Sequence, residues 1–249
     1  MVDTHCHLDS CESPDAELVA RARAAGVGRL ATVGMDGASI ERALAAAREH
    51  DGVVAIVGRH PHKAEGFGSS DLEEIERACA DPLARAVGET GLDYYRDNAP
   101  REDQRRAFEA QLDLAAREGL PVVVHTRAAE DDTFAMLAEH AAQTTVVLHC
   151  FSAPDRVEEC VERGYVCSFA GNVTYKSAEA LQVAAREVPD HLLLVETDSP
   201  YLAPVPLRGK ANEPANVVHT AEFVAGLRGL SYADLDAVVE HNATRVFGP

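Results

Sequence analysis

Eight short runs rich in β-branched residues alternate with helical, Ala-rich stretches along the whole chain. Strands that alternate with helices predict parallel β-α units. An open doubly wound sheet usually has fewer strands, and no G-x-G-x-x-G motif follows a strand here. We therefore predict an α/β fold, a single (β/α)8 TIM-type barrel with parallel strands that occupies residues 1–249 as one domain. The predicted strands are 2–8, 29–34, 53–60, 85–89, 121–126, 145–150, 165–169 and 192–197.

Helical periodicity fills the intervals between the strands. Phe108, Leu112 and Ala115 repeat at helical spacing. Ser231 and Asp234 form a variant of the capping box, which predicts the start of a last helix. The other predicted helices are 15–25, 38–50, 71–79, 101–118, 129–141, 155–163, 177–188 and 214–227.

The chain is strongly acidic, with a formal net charge of −18. This charge argues against non-specific binding to nucleic acid, although divalent cations could reverse the field at one local site. The six cysteines include no C-x-x-C pair, which predicts buried reduced thiols and not a zinc cluster. No apolar run approaches the roughly 20 residues that span a bilayer, and no signal peptide is visible. We expect a cytoplasmic protein without membrane contact.

Polar residues with metal-binding chemistry end several of the predicted strands. The site of such a barrel lies at the C-terminal ends of its strands, so these side chains should meet on one rim. A lone histidine at a strand end is more often a structural polar cap. The coincidence of histidines and carboxylates on one rim instead predicts a metal site, formed by His5, His7, Glu89, His125, His149 and Asp198.

The ligand set suggests two divalent ions. His5 and His7, on one face of the first strand, would hold one ion with Asp198. The histidines that end strands five and six would hold the other, and the Glu89 carboxylate would bridge both. Mixed nitrogen and oxygen ligands suit Zn, Mn, Fe or Co, and suit Mg less naturally. We predict Glu89 and Asp198 as catalytic residues, Asp198 also acting as the base that orients a water.

Glu196 precedes Asp198 by two residues on the same face of the strand. It could orient a ligand histidine from behind. Alternatively, it could be a buried carboxylate that pairs with a neighbouring arginine or lysine. The sequence leaves both readings open.

Taken together, these motifs resemble the TatD family of metal-dependent deoxyribonucleases, a branch of the amidohydrolase superfamily. The resemblance implies a TIM-type barrel, a divalent-metal requirement and hydrolysis of DNA phosphodiesters, often from an end of the strand. The family's metal ligands fall on the same six residues. The matching stretches are 3–9, 60–62, 88–95, 125–127, 149–152, 196–204, 208–210 and 212–214.

The chain departs from the family's usual pattern at three positions. Ala153 stands where glycine is common, Arg59 where a small apolar residue is common, and Ala211 where a further arginine is common. None of the three is a predicted ligand. The last two change the charge offered to a substrate, so they bear on substrate preference more than on chemistry.

A nuclease must contact phosphates, and four residues are candidates: His62, Arg127, Arg208 and Lys210. The last two lie in the loop after strand eight, a recurrent phosphate site in these barrels. Basic loop residues are otherwise simply solvated. Tyr94, Tyr95 and Tyr201 could stack on an unpaired base, or could only pack. Because aromatic residues make up 5% of the chain, a short single strand or a frayed 3′ end fits better than a long duplex.

Two other functions compete with a DNase. The first is a superfamily hydrolase of another ester or amide bond, such as an aminoacyl-tRNA deacylase or an enzyme for a lactone or phosphotriester. Such enzymes often bridge their metals with a carbamylated lysine, and Glu89 stands in that place here. The second is a metal-dependent scaffold protein, which would require a missing ligand. The sequence predicts no particular protein partner.

Overall fold

Eight parallel strands form one sheet in the order β1 to β8, and the sheet closes on itself. The computed structural model describes residues 1–249. His7 N donates to Ser199 O at 2.8 Å, and Asp198 N donates to His5 O at 2.9 Å, which joins the end of β8 to β1. The predicted (β/α)8 barrel is confirmed. The strands are β1 (Val2–Cys6), β2 (Arg29–Gly34), β3 (Val53–Val57), β4 (Ala84–Asp93), β5 (Val122–Arg127), β6 (Val146–Leu148), β7 (Val166–Phe169) and β8 (Leu193–Val195).

Helices follow the strands and cover the outside of the barrel. The last helix begins as predicted, with the Ser231 hydroxyl accepting from Asp234 N at 3.2 Å. Gly119 and Gly164 end two helices in the left-handed conformation, at φ 66° and 70°. The helices are α1 (Asp15–Ala24), α2 (Gly37–Glu49), α3 (Ser69–Cys79), α4 (Arg101–Glu118), α5 (Glu130–His140), α6 (Val157–Arg163), α7 (Glu179–Glu187), α8 (Val217–Arg228) and α9 (Tyr232–Phe247).

Five strand ends differ from the prediction by two residues or more. The first, third, sixth and eighth strands end at Cys6, Val57, Leu148 and Val195, earlier than predicted. Just beyond the sixth and eighth strands, Cys150 and Asp198 have positive φ values of 42° and 54°. The fourth strand instead continues to Asp93. The chemistry-bearing side chains therefore lie on the first residues after a strand as often as on the strand itself.

One apolar core of 70 buried residues holds the strands and helices together. The predicted inner face of α4, formed by Phe108, Leu112 and Ala115, is fully buried. None of the helices combines the length and apolar character that a membrane crossing requires. All six cysteines are free thiols, but the prediction that they are buried is wrong for Cys11, Cys79 and Cys150, which are partly exposed.

Two buried glutamines of α4 hold the backbone near the rim. Gln104 accepts from Asp93 N at 2.8 Å, and Gln111 accepts from Arg59 N at 2.7 Å. The Gln111 amide also donates to the Thr90 hydroxyl at 2.7 Å. Gln111 thus links the backbone just after β3 to a side chain of β4, and a buried amide with both partners satisfied fixes the two segments relative to each other. The helix thereby sets the position of the residues on either side of the rim.

Candidate metal centre

The Glu89 side chain lies at the middle of the rim and is 3% exposed. Its Oε1 is 2.9 Å from His125 Nδ1 and 3.0 Å from His149 Nε2. Its Oε2 is 3.3 Å from His5 Nε2. The two oxygens of one carboxylate thus face two different groups of histidines.

Asp198 completes the group that Oε2 faces. Its Oδ1 lies 3.5 Å from His7 Nε2 and 4.0 Å from His5 Nε2. The rings of His5 and His7 are 5.1 Å apart between centroids, as expected for alternate residues at the end of a strand. The structure therefore brings all six of the residues predicted as metal ligands to one place.

The two histidines at the end of β1 have ring nitrogens that are free to bind a ligand. Both ring nitrogens of His5 and Nδ1 of His7 are buried without a hydrogen-bond partner. A buried polar atom without a partner costs about 1–3 kcal/mol, and imidazole nitrogens facing two carboxylates form a donor set that suits a divalent transition metal. The residues present fit such an ion.

The local electrostatics keep the two carboxylates ionised. Burial opposes the charge of Glu89, but His149 and His60 hold its pKa well below the ordinary value. Burial likewise opposes the charge of Asp198, and its hydrogen bond with His7 keeps the pKa low. Burial lowers the pKa of His5, which favours its neutral form. Burial also opposes the charge of His7, His125 and His149, but the neighbouring carboxylates raise their pKa values. Because metals bind neutral imidazole, an incoming ion would displace protons from these rings.

Glu196 lies behind His149 and not beside a basic residue. Its Oε1 is 3.0 Å from His149 Nδ1 and accepts from Cys150 N at 2.8 Å. The alternative of pairing with an arginine or lysine is wrong, because the only ionisable partner within salt-bridge distance is that histidine. The carboxylate fixes the ring so that Nε2 points to Glu89.

Asp93 has the same relation to His125, and the sequence did not reveal it as a site residue. Its Oδ2 is 3.3 Å from His125 Nε2 and 2.7 Å from His62 Nε2. His125 consequently presents Nδ1 to Glu89. The available signal was the position of Asp93 four residues after Glu89, at the end of the same strand.

His60 is a second residue that sequence reasoning missed. Its Nε2 lies 3.2 Å from Glu89 Oε1, although the sequence favoured His62 as the functional histidine of this segment. His62 N donates to His60 Nδ1 at 3.0 Å, so Nδ1 is an acceptor and the neutral ring carries its proton on Nε2. The proton on His60 Nε2 therefore faces the Glu89 carboxylate.

The predicted phosphate contacts lie around the mouth and do not meet. The Arg127 guanidinium, at the end of β5, is exposed and stacks 4.1 Å from the Tyr95 ring centroid. Arg208 stacks 4.3 Å from the Tyr175 ring centroid, and Lys210 is exposed nearby in the chain. The His62 side chain is 30% exposed and bonded to Asp93.

Comparison with known proteins places these features in one family. The family model described as TatD related DNase matches residues 2–248. The metal-dependent hydrolase YabD of Bacillus subtilis is 36% identical, covering 99% of this chain and 98% of that protein. A protein of Klebsiella pneumoniae named 3′-5′ ssDNA/RNA exonuclease TatD is 34% identical, covering 93% of this chain and 91% of that protein.

The crystal structure of YJJV, a TatD homolog from Escherichia coli K12, superimposes with a TM-score of 0.93 at 29% identity. The match covers 100% of this chain and 98% of that chain. The likeness in fold thus spans every strand that carries a residue of the centre. The chain belongs to the TatD-related DNase family, and it is a metal-dependent hydrolase.

Proposed function

We propose that the chain is a divalent-metal-dependent deoxyribonuclease that hydrolyses single-stranded DNA from an end of the strand. The observation that carries this proposal is the carboxylate of Glu89, with Oε1 at 2.9 Å from His125 and Oε2 at 3.3 Å from His5. A carboxylate between two ligand groups is typical of two-metal sites that act on phosphate esters.

Two ions would fit the donor set. His5, His7 and Asp198 would hold one, the histidines of β5 and β6 would hold the other, and Glu89 would contact both. Zn or Mn suits these ligands better than Mg does. When bound, such ions stabilise charge on a phosphate oxygen and lower the pKa of water.

The side-chain exposure of Glu89 and of Asp198 suggests a different role for each carboxylate. The Glu89 side chain is 3% exposed and surrounded by imidazoles, so it serves to hold the centre together. The Asp198 side chain is 14% exposed and reaches the mouth of the barrel. Since its pKa lies below the ordinary value, Asp198 is ionised and able to accept a proton from an attacking water at Oδ1.

Phosphates on either side of the scissile bond would meet Arg127, Arg208 and Lys210, whose charged groups are exposed. His62, which follows β3, would provide a further phosphate contact. The relative named 3′-5′ ssDNA/RNA exonuclease supports both an end-directed reaction and a single-stranded substrate. A cytoplasmic location stays a prediction from the sequence.

The test is hydrolysis by metal-reconstituted protein of single-stranded DNA labelled at the 5′ or the 3′ end. We expect stepwise shortening from one end, with elemental analysis giving close to two ions per chain. Glu89→Gln should retain the fold by circular dichroism and lose the activity. Glu102→Gln, which changes an exposed carboxylate on α4, is the matched control and should behave as the wild type.

Activity that survives exhaustive chelation would contradict the metal mechanism. A panel containing an aminoacylated RNA, a lactone and a phosphotriester tests the competing hydrolases. If the protein turns over one of these and leaves DNA intact, the nuclease proposal is wrong and the metal site serves that other reaction.

A further inference from the structure

Four tyrosines follow the strands at the mouth of the barrel, and three of them have a covered ring. In each covered ring an arginine guanidinium lies over the aromatic face, as in a cation–π contact. The remaining tyrosines lie elsewhere, Tyr165 buried in the core and Tyr232 at the start of α9. The covered pairs, with the distance from guanidinium to ring centroid, are Arg101 on Tyr94 (4.1 Å), Arg127 on Tyr95 (4.1 Å) and Arg208 on Tyr175 (4.3 Å).

Tyr201 differs from these three. It is 55% exposed, no cation lies over its ring, and its hydroxyl makes no hydrogen bond within the protein. The Tyr94 hydroxyl, in contrast, donates to Asp132 at 2.7 Å, and the Tyr175 hydroxyl donates to Ala203 O at 3.0 Å. Tyr95 is more exposed, at 65%, but Arg127 lies over its ring, so Tyr201 is the tyrosine at the mouth whose ring is covered by no cation.

The free ring is also held beside the metal centre. Tyr201 N donates to Asp198 O at 2.9 Å, and Tyr201 O accepts from the Asn212 amide at 2.6 Å. The ring stands edge-on to His7, with 6.2 Å between centroids and 69° between planes. A phosphate held beside His7 would therefore bring the base of its own nucleotide close to this exposed ring.

We infer that Tyr201 stacks on the unpaired base of the nucleotide whose phosphate reacts, and so makes recognition depend on the presence of a base. This inference rests on the proposed nuclease function. Every nucleobase has a π-face, so such stacking is tolerant of sequence. A base inside a duplex is already stacked on both sides, so the contact also favours single strands. The arginine-covered tyrosines present guanidinium groups, which suit phosphates instead.

The kinetic test compares a single-stranded oligonucleotide with one that carries a tetrahydrofuran residue, which has no base, at the reacting end. The wild type should have a KM about tenfold lower for the normal oligonucleotide, as expected from the energy of one stacked base. In Tyr201→Leu this ratio should fall to near one while kcat on the normal oligonucleotide is retained. Tyr201→Phe keeps the ring and should restore the ratio. Equal losses in Phe and Leu variants would overturn the inference.

A binding measurement tests stacking without hydrolysis. The chain contains no tryptophan, so Tyr201→Trp introduces a single tryptophan whose fluorescence can be excited selectively. With the metal bound and with oligonucleotides whose phosphorothioate linkages resist hydrolysis, the normal oligonucleotide should quench this fluorescence, and the oligonucleotide without the base should quench it far less. Tyr95→Trp is the matched control, because its ring position is covered by Arg127 and should show no dependence on the base.

The two assays separate the failure of this inference from the failure of the proposed function. If the wild type hydrolyses no nucleic acid, the nuclease proposal is wrong. If it hydrolyses DNA but the KM ratio is near one, or if Tyr95→Trp shows the same base dependence as Tyr201→Trp, the role of Tyr201 is wrong.

Discussion

A single buried carboxylate, that of Glu89, organises the chemistry of the rim. Its Oε1 meets three imidazoles, those of His60, His125 and His149, at 2.9–3.2 Å. A buried negative charge is stable only when it is paired. Burial opposes the charge of His149, but Glu89 and Glu196 raise its pKa well above the ordinary value, so this ring supplies part of the pairing in the absence of metal. A divalent cation would supply the pairing instead and would also use the unpaired nitrogens of His5.

The first prediction for single residues concerns the Asp93 and Glu196 carboxylates, which contact ligand histidines. Asp93→Asn and Glu196→Gln should each weaken metal affinity by roughly 10–100-fold, because the ligand rings lose the partner that fixes their tautomer and orientation. Affinity is measured by competition with a chromophoric chelator. Glu102→Gln, exposed on α4, is the control and should not change the affinity. Unchanged affinity in both site variants would show that the rings are held by packing alone.

The thiols offer the second prediction. Burial raises the pKa of Cys11 to about 11 and that of Cys79 to about 12, although both side chains are partly exposed. Only the thiolate reacts with iodoacetamide. Both residues should be alkylated very slowly at pH 8, with a rate that rises nearly tenfold per pH unit, as followed by peptide mass spectrometry. Unfolded protein should label at all six cysteines, and rapid labelling of the native protein at pH 8 would contradict the prediction.

Among the elements, β4 is the one that the site depends on most. The β4–β5 register shifts between Val87 and Thr90, around Glu89, which marks a bulge. Gly88 and Gly91 flank it at φ 148° and 134°. A Cβ on Gly91 would lie 2.0 Å from His125 O, so the backbone of β4 approaches β5 too closely for any side chain there.

Gly91→Ala should therefore destabilise the protein by more than about 2 kcal/mol, from backbone strain together with overlap on β5. The free energy of unfolding is measured by urea denaturation. Gly28→Ala is the matched control, since a Cβ at Gly28 meets nothing within 4 Å and φ is not positive. Similar stabilities of the two variants would show that β4 can move away from β5 without cost.

The strands and helices were largely predictable from the sequence, but the side-chain contacts between them were not. The alternation of β-branched runs with helical stretches located every strand. The rule that barrel sites lie at the C-terminal ends of the strands placed His5, Glu89 and Asp198 together. Asp93 and His60 were missed because their roles depend on which nitrogen of a neighbouring ring they face across the rim. The sequence also could not distinguish Tyr201 from Tyr95, since only the fold shows which ring an arginine covers.

At the scale of the whole molecule, the net charge of −18 opposes the approach of DNA. The exposed cations at the mouth and the proposed divalent ions would have to reverse this field locally. The same ions should also affect stability, because they bind a centre that only the folded barrel assembles. A ligand that binds the folded state alone stabilises it by about 2.7 kcal/mol at a concentration 100 times its Kd.

Removing the metal should therefore lower the melting temperature by roughly 5–10 °C, given about 2–4 °C per kcal/mol for a domain of this size. Calorimetry of the chelated protein and of the same sample after addition of Zn or Mn measures the shift. Glu89→Gln should melt at nearly the same temperature in both conditions, because its side chain no longer carries the charge that joins the two ligand groups. If that variant gains as much stability from the metal as the wild type does, the stabilising ion binds elsewhere on the acidic surface.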